Sequence, residues 1–181
     1  MTSRRERGSC SRSPARRILP LDPGFFMKTL LAVDLGLKTG IALFAEQGNL
    51  LWYRSHNFGT TERLKRAVPK LLDGIPGVTA VVIEGGGNLA VIWEKEAERR
   101  SLSFLQISAI EWRQLFLYSR EQRSGVDAKK HAGEMARKVI EWSKAPRPTA
   151  LRHDAAEAIM IGLWGVLHLG WLERIPEELR R

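Results

Sequence analysis

The chain has 181 residues, with 29 Lys and Arg against 20 Asp and Glu, giving a formal net charge of +9. This length is enough for one α/β domain with a buried core but short for two domains. A single cysteine, Cys10, excludes an internal disulfide and a cysteine-rich metal site. The surplus of positive charge indicates a polyanionic partner, either nucleic acid or an acidic membrane surface.

The most apolar run, residues 158–167, lies between Glu157 and His168. It is too short to cross a bilayer, which takes roughly 20 residues, so we predict a buried helix. The basic start of the chain is not followed by an apolar stretch long enough for a signal peptide. We therefore expect no membrane association and a cytoplasmic location.

Residues 1–26 are rich in Arg, Ser and Pro and show no apolar periodicity. This composition predicts a disordered basic N-terminal extension. It has two interpretations: a nucleic-acid-binding arm, or a mis-assigned start, since Met27 directly precedes a well-defined strand. A single globular domain is predicted over residues 27–175.

The first part of this domain is predicted to be a β-meander. Apolar runs at 29–34, 41–45 and 50–55 are separated by turn signals at 36–40 and 47–49. A helix follows over 61–72, with Thr61 as a candidate cap and an apolar face. Asp73 and Gly74 are expected to end it.

The rest of the chain alternates between strands and helices. Residues 78–83 form a continuous apolar, β-branched run, typical of a central strand buried on both faces. Further elements are predicted as a helix at 89–99, a strand at 102–107, a helix at 111–118, a polar loop at 119–126, and helices at 127–143 and 151–171. The order predicts an α/β fold: a mixed five-stranded sheet, three antiparallel strands and then βαβ units, with helices on both faces.

Four carboxylates occupy positions that suggest chemistry. Asp34 and Glu84 each end an apolar strand, while Asp154 and Glu157 lie three residues apart near the start of the last helix. Residues at that spacing share a helix face. Burying an unpaired charge is costly, and metal binding is one reason to tolerate it. The alternative is that these acids are helix caps or turn residues.

Hard divalent cations prefer oxygen ligands. Two such ions about 3.5–4 Å apart can activate a water and stabilise the leaving oxygen in phosphodiester cleavage. Four carboxylates from two strands and one helix are enough to hold that pair.

Four segments, taken in order, resemble the RuvC-like Holliday-junction resolvases of the RNase H-like superfamily. They are LLAVDLGLKTGIALF, VVIEGGG, DAKKHAGEMARKVI and RHDAAEAIMIG, within residues 28–170. The resemblance implies an RNase H-like fold. It also implies a metal-dependent endodeoxyribonuclease that resolves branched DNA, Holliday junctions in particular, in recombination and repair.

Carried over to this chain, the resemblance makes Asp34, Glu84, Asp154 and Glu157 the catalytic metal ligands. They would hold two Mg²⁺ ions, for which Mn²⁺ can substitute. It implies a homodimer that cuts two strands symmetrically, and a lysine, either Lys129 or Lys130, that contacts a phosphate. The residues expected to bind DNA are Lys129, Lys130, Arg137, Arg152 and His153.

The chain departs from the family pattern at three places. The family often has Asp-Pro-Gly where this chain has Asp34-Leu35-Gly36, and often Asp where this chain has Glu157. Some members carry an aromatic wedge soon after the second carboxylate, where this chain has glycines at 85–87. How a junction would be opened, and whether the substrate is a four-way junction, therefore stay open.

Other functions fit parts of the pattern. A YqgF-type RNA-processing nuclease shares the first Asp and the general fold. The segment from Asp34 to Gly40 resembles the phosphate-binding hairpin of actin-like and sugar-kinase-like proteins, although these need two lobes to clamp a nucleotide. A third alternative is a degenerate nuclease fold that only binds DNA.

Overall fold

The computed structural model describes residues 27–122 and 124–180, so the predicted extension at 1–26 lies outside the described residues. The strands are β1 Thr29–Asp34, β2 Lys38–Ala45, β3 Leu50–Asn57, β4 Val78–Glu84 and β5 Ser103–Ile107. The helices are α1 Thr61–Asp73, α2 Asn88–Arg99, α3 Ala109–Phe116, α4 Gly125–Trp142 and α5 His153–His168. Short 3₁₀ helices cover Ser119–Gln122 and Glu177–Leu179.

The predicted elements are present and some of their ends differ. β2 begins at Lys38 instead of residue 41, because pairing with β3 continues to Lys38 and Asn57. The last helix begins at His153 and ends at His168, inside the predicted 151–171, and Gly170 follows it with a φ of 70°. The predicted polar loop at 119–126 contains a 3₁₀ turn and the first residues of α4.

The strands form one mixed sheet in the order β3-β2-β1-β4-β5. β1 pairs antiparallel with β2 and parallel with β4, and β4 pairs parallel with β5. This is the predicted arrangement of a meander followed by βαβ units. The parallel pairing matters for function, because it brings the carboxyl ends of β1, β4 and β5 to one edge of the sheet.

Side chains of β1 alternate between two hydrophobic cores, as the two-residue period of a strand requires. Leu30 and Ala32 pack with α3, α4 and α5, whereas Leu31 and Val33 pack with α1 and α2. All four are fully buried. The sheet therefore has helices on both faces, as predicted. Of the helices in residues 27–122 and 124–180, none is long and apolar enough to span a membrane.

Helix α5 lies unusually close to the sheet, and two glycines permit this. A Cβ atom placed on Gly162 would lie 2.2 Å from the Phe44 ring, and one on Gly165 would lie 2.7 Å from Leu30. The two glycines are three residues apart, so they share one face of the helix. Close packing of this kind fixes the height of α5 over β1 and β2, and with it the height of its first turn. The core on this face extends beyond residue 175, since Leu179 is buried in it.

Candidate active site

Asp34 and Glu84 are brought together by the central strand pair. Each is the last residue of its strand, and the two are direct partners in the parallel β1–β4 register. Ala32 and Val82, two residues before them, both face the core that contains α5. Because side chains alternate along a strand, Asp34 and Glu84 point to that same side.

The first turn of α5 delivers the other two acids to the same place. Asp154 and Glu157 are one helical turn apart. A Cβ placed on Gly40 would lie only 1.8 Å from the carbonyl oxygen of Asp154. Gly40 is also the β2 partner of Asp34. The start of α5 therefore rests on the sheet directly beside Asp34, at a distance that only glycine allows.

The electrostatics of Asp34 indicate that the other three acids lie close enough to act on its charge. Burial raises the pKa of Asp34 to about 8, and the negative charges of Glu157, Glu84 and Asp154 contribute to that rise. The positive charge of Lys129 lowers the same pKa. Burial also raises the pKa of Glu84, and the charge of Glu157 adds to it. The site thus holds more negative charge than its surroundings neutralise.

Three of the acids are bound by neighbouring side chains. The indole Nε1 of Trp112 donates to Oε2 of Glu84 at 2.5 Å. The Arg113 guanidinium pairs with Oε1 of Glu157 at 3.1 Å.

The hydroxyl of Ser55, on β3, donates to Oδ2 of Asp154. Oε1 of Glu84 and Oε2 of Glu157 are not engaged in these bonds, whereas Oδ1 of Asp154 accepts from the backbone N–H of Ala155 at 3.0 Å.

The four acids suit a hard divalent cation as ligands, because all offer carboxylate oxygens and their negative charge is incompletely balanced by neighbouring cations. With the side chains as placed, no three His, Cys, Asp or Glu residues within 27–122 and 124–180 have the spacing of a metal site. Trp112, Arg113 and Ser55 hold Glu84, Glu157 and Asp154 in these positions. Joint ligation of a cation by the acids therefore requires their side chains to move closer together.

Of the two lysines that the sequence left open, Lys129 is the one whose charge reaches the cluster. It acts on Asp34, whereas no such effect is seen from Lys130. Both side chains are exposed on α4. They point in different directions, because consecutive helical residues are turned by about 100°.

The remaining residues predicted to bind DNA lie around the start of α5. Arg152 and His153 are exposed there, and Arg152 lines a cleft with Tyr53 and Ser55. Arg137 is exposed on α4, and its charge lowers the pKa of Tyr53, although burial raises that pKa on balance. Arg152 and His153 directly precede Asp154 along the chain.

Sequence reasoning missed the three side chains that hold the carboxylates. Ser55 lies on the last strand of the predicted meander. Trp112 and Arg113 lie on α3, a helix for which no functional role was predicted. Trp112 and Arg113 were adjacent to no motif. Their role depends on where α3 lies relative to β4 and α5, which local sequence does not specify.

Comparison with known proteins was made at three levels. No protein-family model matches the chain, and no curated protein matches it in sequence. Among solved structures, it is similar to T. thermophilus RuvC in complex with a Holliday junction substrate, with a TM-score of 0.54 and 17% identity. That match covers 79% of this chain and 96% of the other.

A second similar structure is the yeast mitochondrial Holliday junction resolvase Ydc2. The TM-score is 0.52 at 11% identity, covering 83% of this chain and 84% of the other. The chain therefore has the RNase H-like fold of the RuvC-like resolvases, as its motifs predicted. Identity at this level shows the fold alone.

Proposed function

We propose that this protein is a divalent-metal-dependent endonuclease that cleaves branched DNA, with Asp34, Glu84, Asp154 and Glu157 as its catalytic carboxylates. The observation that carries the proposal is the convergence of these four acids: burial raises the pKa of Asp34 to about 8, and the negative charges of the other three add to that rise. Accumulated negative charge around a half-buried acid is costly to the fold, and a bound cation offsets that cost. Such clusters with displaced pKa values are typical of functional sites.

The choice of DNA as substrate rests on three supports. The fold is shared with two proteins whose names identify them as acting on Holliday junctions. The net charge of +9 suits a polyanion. The positive charge of Lys129 lowers the pKa of Asp34, which supports Lys129 as the lysine that contacts a phosphate.

The four carboxylates would hold two Mg²⁺ ions, or Mn²⁺ in their place. The chemistry that paired ions supply is activation of a water molecule for in-line attack and stabilisation of the departing 3′ oxygen. The residues of the chain position the substrate: Lys129 holds the phosphate beside Asp34. The flanking backbone is held by exposed side chains on α4 and at the start of α5: Lys130, Arg137, Arg152 and His153.

A nicking assay on a synthetic four-way junction tests the proposal. Cleavage should occur with Mg²⁺ or Mn²⁺, stop with chelator, and be abolished in Asp34→Asn and Glu84→Gln. Duplex DNA and structured RNA serve as competing substrates, because preferential cleavage of RNA would indicate an RNA-processing nuclease. Full cleavage by Asp34→Asn would show that the active site has been wrongly assigned.

We also propose that the protein acts as a homodimer, because symmetrical cutting of a junction needs two sites and each chain supplies one carboxylate cluster. Light scattering coupled to gel filtration measures the molar mass directly. A monomer that remains monomeric on junction DNA would contradict this part of the proposal.

A further inference from the structure

Trp112 differs from an ordinary core tryptophan in where its N–H is directed. The side chain is fully buried, as is that of Trp93 on the opposite face of the sheet. The Nε1 of Trp93 has no hydrogen-bond partner among the residues that the structure describes, whereas that of Trp112 donates to Glu84 at 2.5 Å. A tryptophan of this protein can therefore be buried without its indole N–H bonding to a carboxylate, so burial alone does not explain the contact of Trp112 with Glu84.

The local fold directs this contact. Ile107, the last residue of β5, is the strand partner of Glu84. Helix α3 begins only two residues later and is fixed by a capping box between Ser108 and Glu111. The backbone N–H of Ser108 donates to Glu111 at 2.6 Å. The first turn of α3 is thus held rigidly beside the end of β4, and Trp112 follows at once.

The bond has a directional consequence for Glu84. One oxygen, Oε2, accepts from the indole, so the position of that oxygen is restrained and Oε1 is left for another partner. Hydrogen bonds that orient metal-ligating groups typically contribute about 10–100-fold to metal affinity.

We infer that Trp112 is a positioning residue for Glu84: its indole N–H fixes the carboxylate so that the free oxygen can ligate a divalent cation. Trp112 does not touch substrate and acts through Glu84. Its ring also lies 5.1 Å from the Arg113 guanidinium carbon, a contact that a phenylalanine ring can keep. The inference rests on the proposed function, because it requires that Glu84 is a metal ligand.

The test compares the same substitution at the two buried tryptophans. Trp112→Phe removes the N–H that binds Glu84, and Trp93→Phe removes an N–H without a partner, with a similar loss of ring volume. Mg²⁺ affinity of the DNA-free protein is measured by calorimetry, and the unfolding midpoint is measured alongside it. We expect roughly tenfold or greater weakening in Trp112→Phe and wild-type affinity in Trp93→Phe.

Two further measurements separate positioning from general damage. Trp112→His retains a ring N–H donor and should recover part of the affinity that Trp112→Phe loses. Cleavage by Trp112→Phe should need more Mg²⁺ for half its maximal rate but approach the wild-type rate at saturating Mg²⁺. Tb³⁺ added to the protein provides a spectroscopic check, since an indole bonded to a ligating carboxylate should sensitise its luminescence strongly.

The outcomes distinguish this inference from the proposed function. If wild type binds Mg²⁺, Glu84→Gln does not, and Trp112→Phe binds as wild type does, the positioning role is wrong while the nuclease proposal stands. If Trp112→Phe and Trp93→Phe lose equal affinity, the effect is packing and the role is likewise refuted. If wild type binds neither Mg²⁺ nor Tb³⁺, both proposals fall together.

Discussion

Replacing Asp34 by asparagine should stabilise the metal-free protein while abolishing cleavage. The raised pKa means that the native protein binds the Asp34 proton more tightly than the unfolded chain does. Between the ordinary value of 3.8 and about 8, the folded form keeps this proton and the unfolded form has lost it. Raising the pH through that window therefore destabilises the fold, and a neutral asparagine side chain at this position is free of this dependence.

The magnitude follows from the width of the window. At pH 7 the solution is about three units above the unfolded pKa, and each unit corresponds to about 1.4 kcal/mol. The free energy of unfolding of Asp34→Asn can therefore exceed that of wild type by at most about 4 kcal/mol. We expect a gain of roughly 2–4 kcal/mol, because the amide has one acceptor oxygen fewer than the carboxyl group. At pH 5 the gain should shrink to about 1 kcal/mol, and above pH 8 it should stop growing.

Urea unfolding of both proteins at pH 5, 6, 7 and 8 in chelator measures this difference. Glu94→Gln, an exposed position on α2, is the matched control and should show no such trend. Added Mg²⁺ should narrow the gap, because it stabilises wild type more than Asp34→Asn. A difference between the two proteins that stays constant from pH 5 to 8 would refute the reasoning.

Three other changes probe the site. Gly40→Ala should lower the free energy of unfolding by about 1–3 kcal/mol and reduce cleavage, because the new methyl would collide with the backbone of Asp154 and push α5 outward. Urea unfolding measures the loss of stability, and the nicking assay measures the loss of cleavage. Arg113→Gln should cost about 3 kcal/mol in chelator by leaving Glu157 unpaired, and Mg²⁺ should recover part of that loss in a thermal-shift assay. Lys129→Gln should weaken junction binding and reduce the slope of log affinity against log salt by about one.

Matched controls exist for each change. Gly133→Ala adds a methyl in open space within α4, so it should be neutral or slightly stabilising. Arg113→Lys keeps the charge beside Glu157 and should lose less stability than the glutamine variant. Lys130→Gln removes the same charge as Lys129→Gln one position along the helix and should leave cleavage closer to wild type. Equal effects of Gly40→Ala and Gly133→Ala would contradict the close packing of Gly40 on α5. Equal effects of Lys129→Gln and Lys130→Gln would contradict the special role of Lys129. An Arg113→Gln protein as stable as wild type would contradict the role of Arg113 in pairing with Glu157.

The sequence by itself determined the order of elements and the two strand-end acids. The period of apolar residues along a segment distinguishes a strand from a helix, and that period can be read from neighbouring residues alone. Asp34 and Glu84 were identifiable because each interrupts an apolar run at its end. Their side-by-side placement then followed from parallel pairing of the strands.

Only the tertiary structure decided how the site is held. The contacts of Trp112 with Glu84, Arg113 with Glu157 and Ser55 with Asp154 join residues 28, 44 and 99 positions apart. The close approach of Gly40 to α5 likewise joins residues distant in sequence. Such contacts depend on the packing of α3 and α5 against the sheet, which is set by the summed shape of many side chains and leaves no periodic signal along the chain.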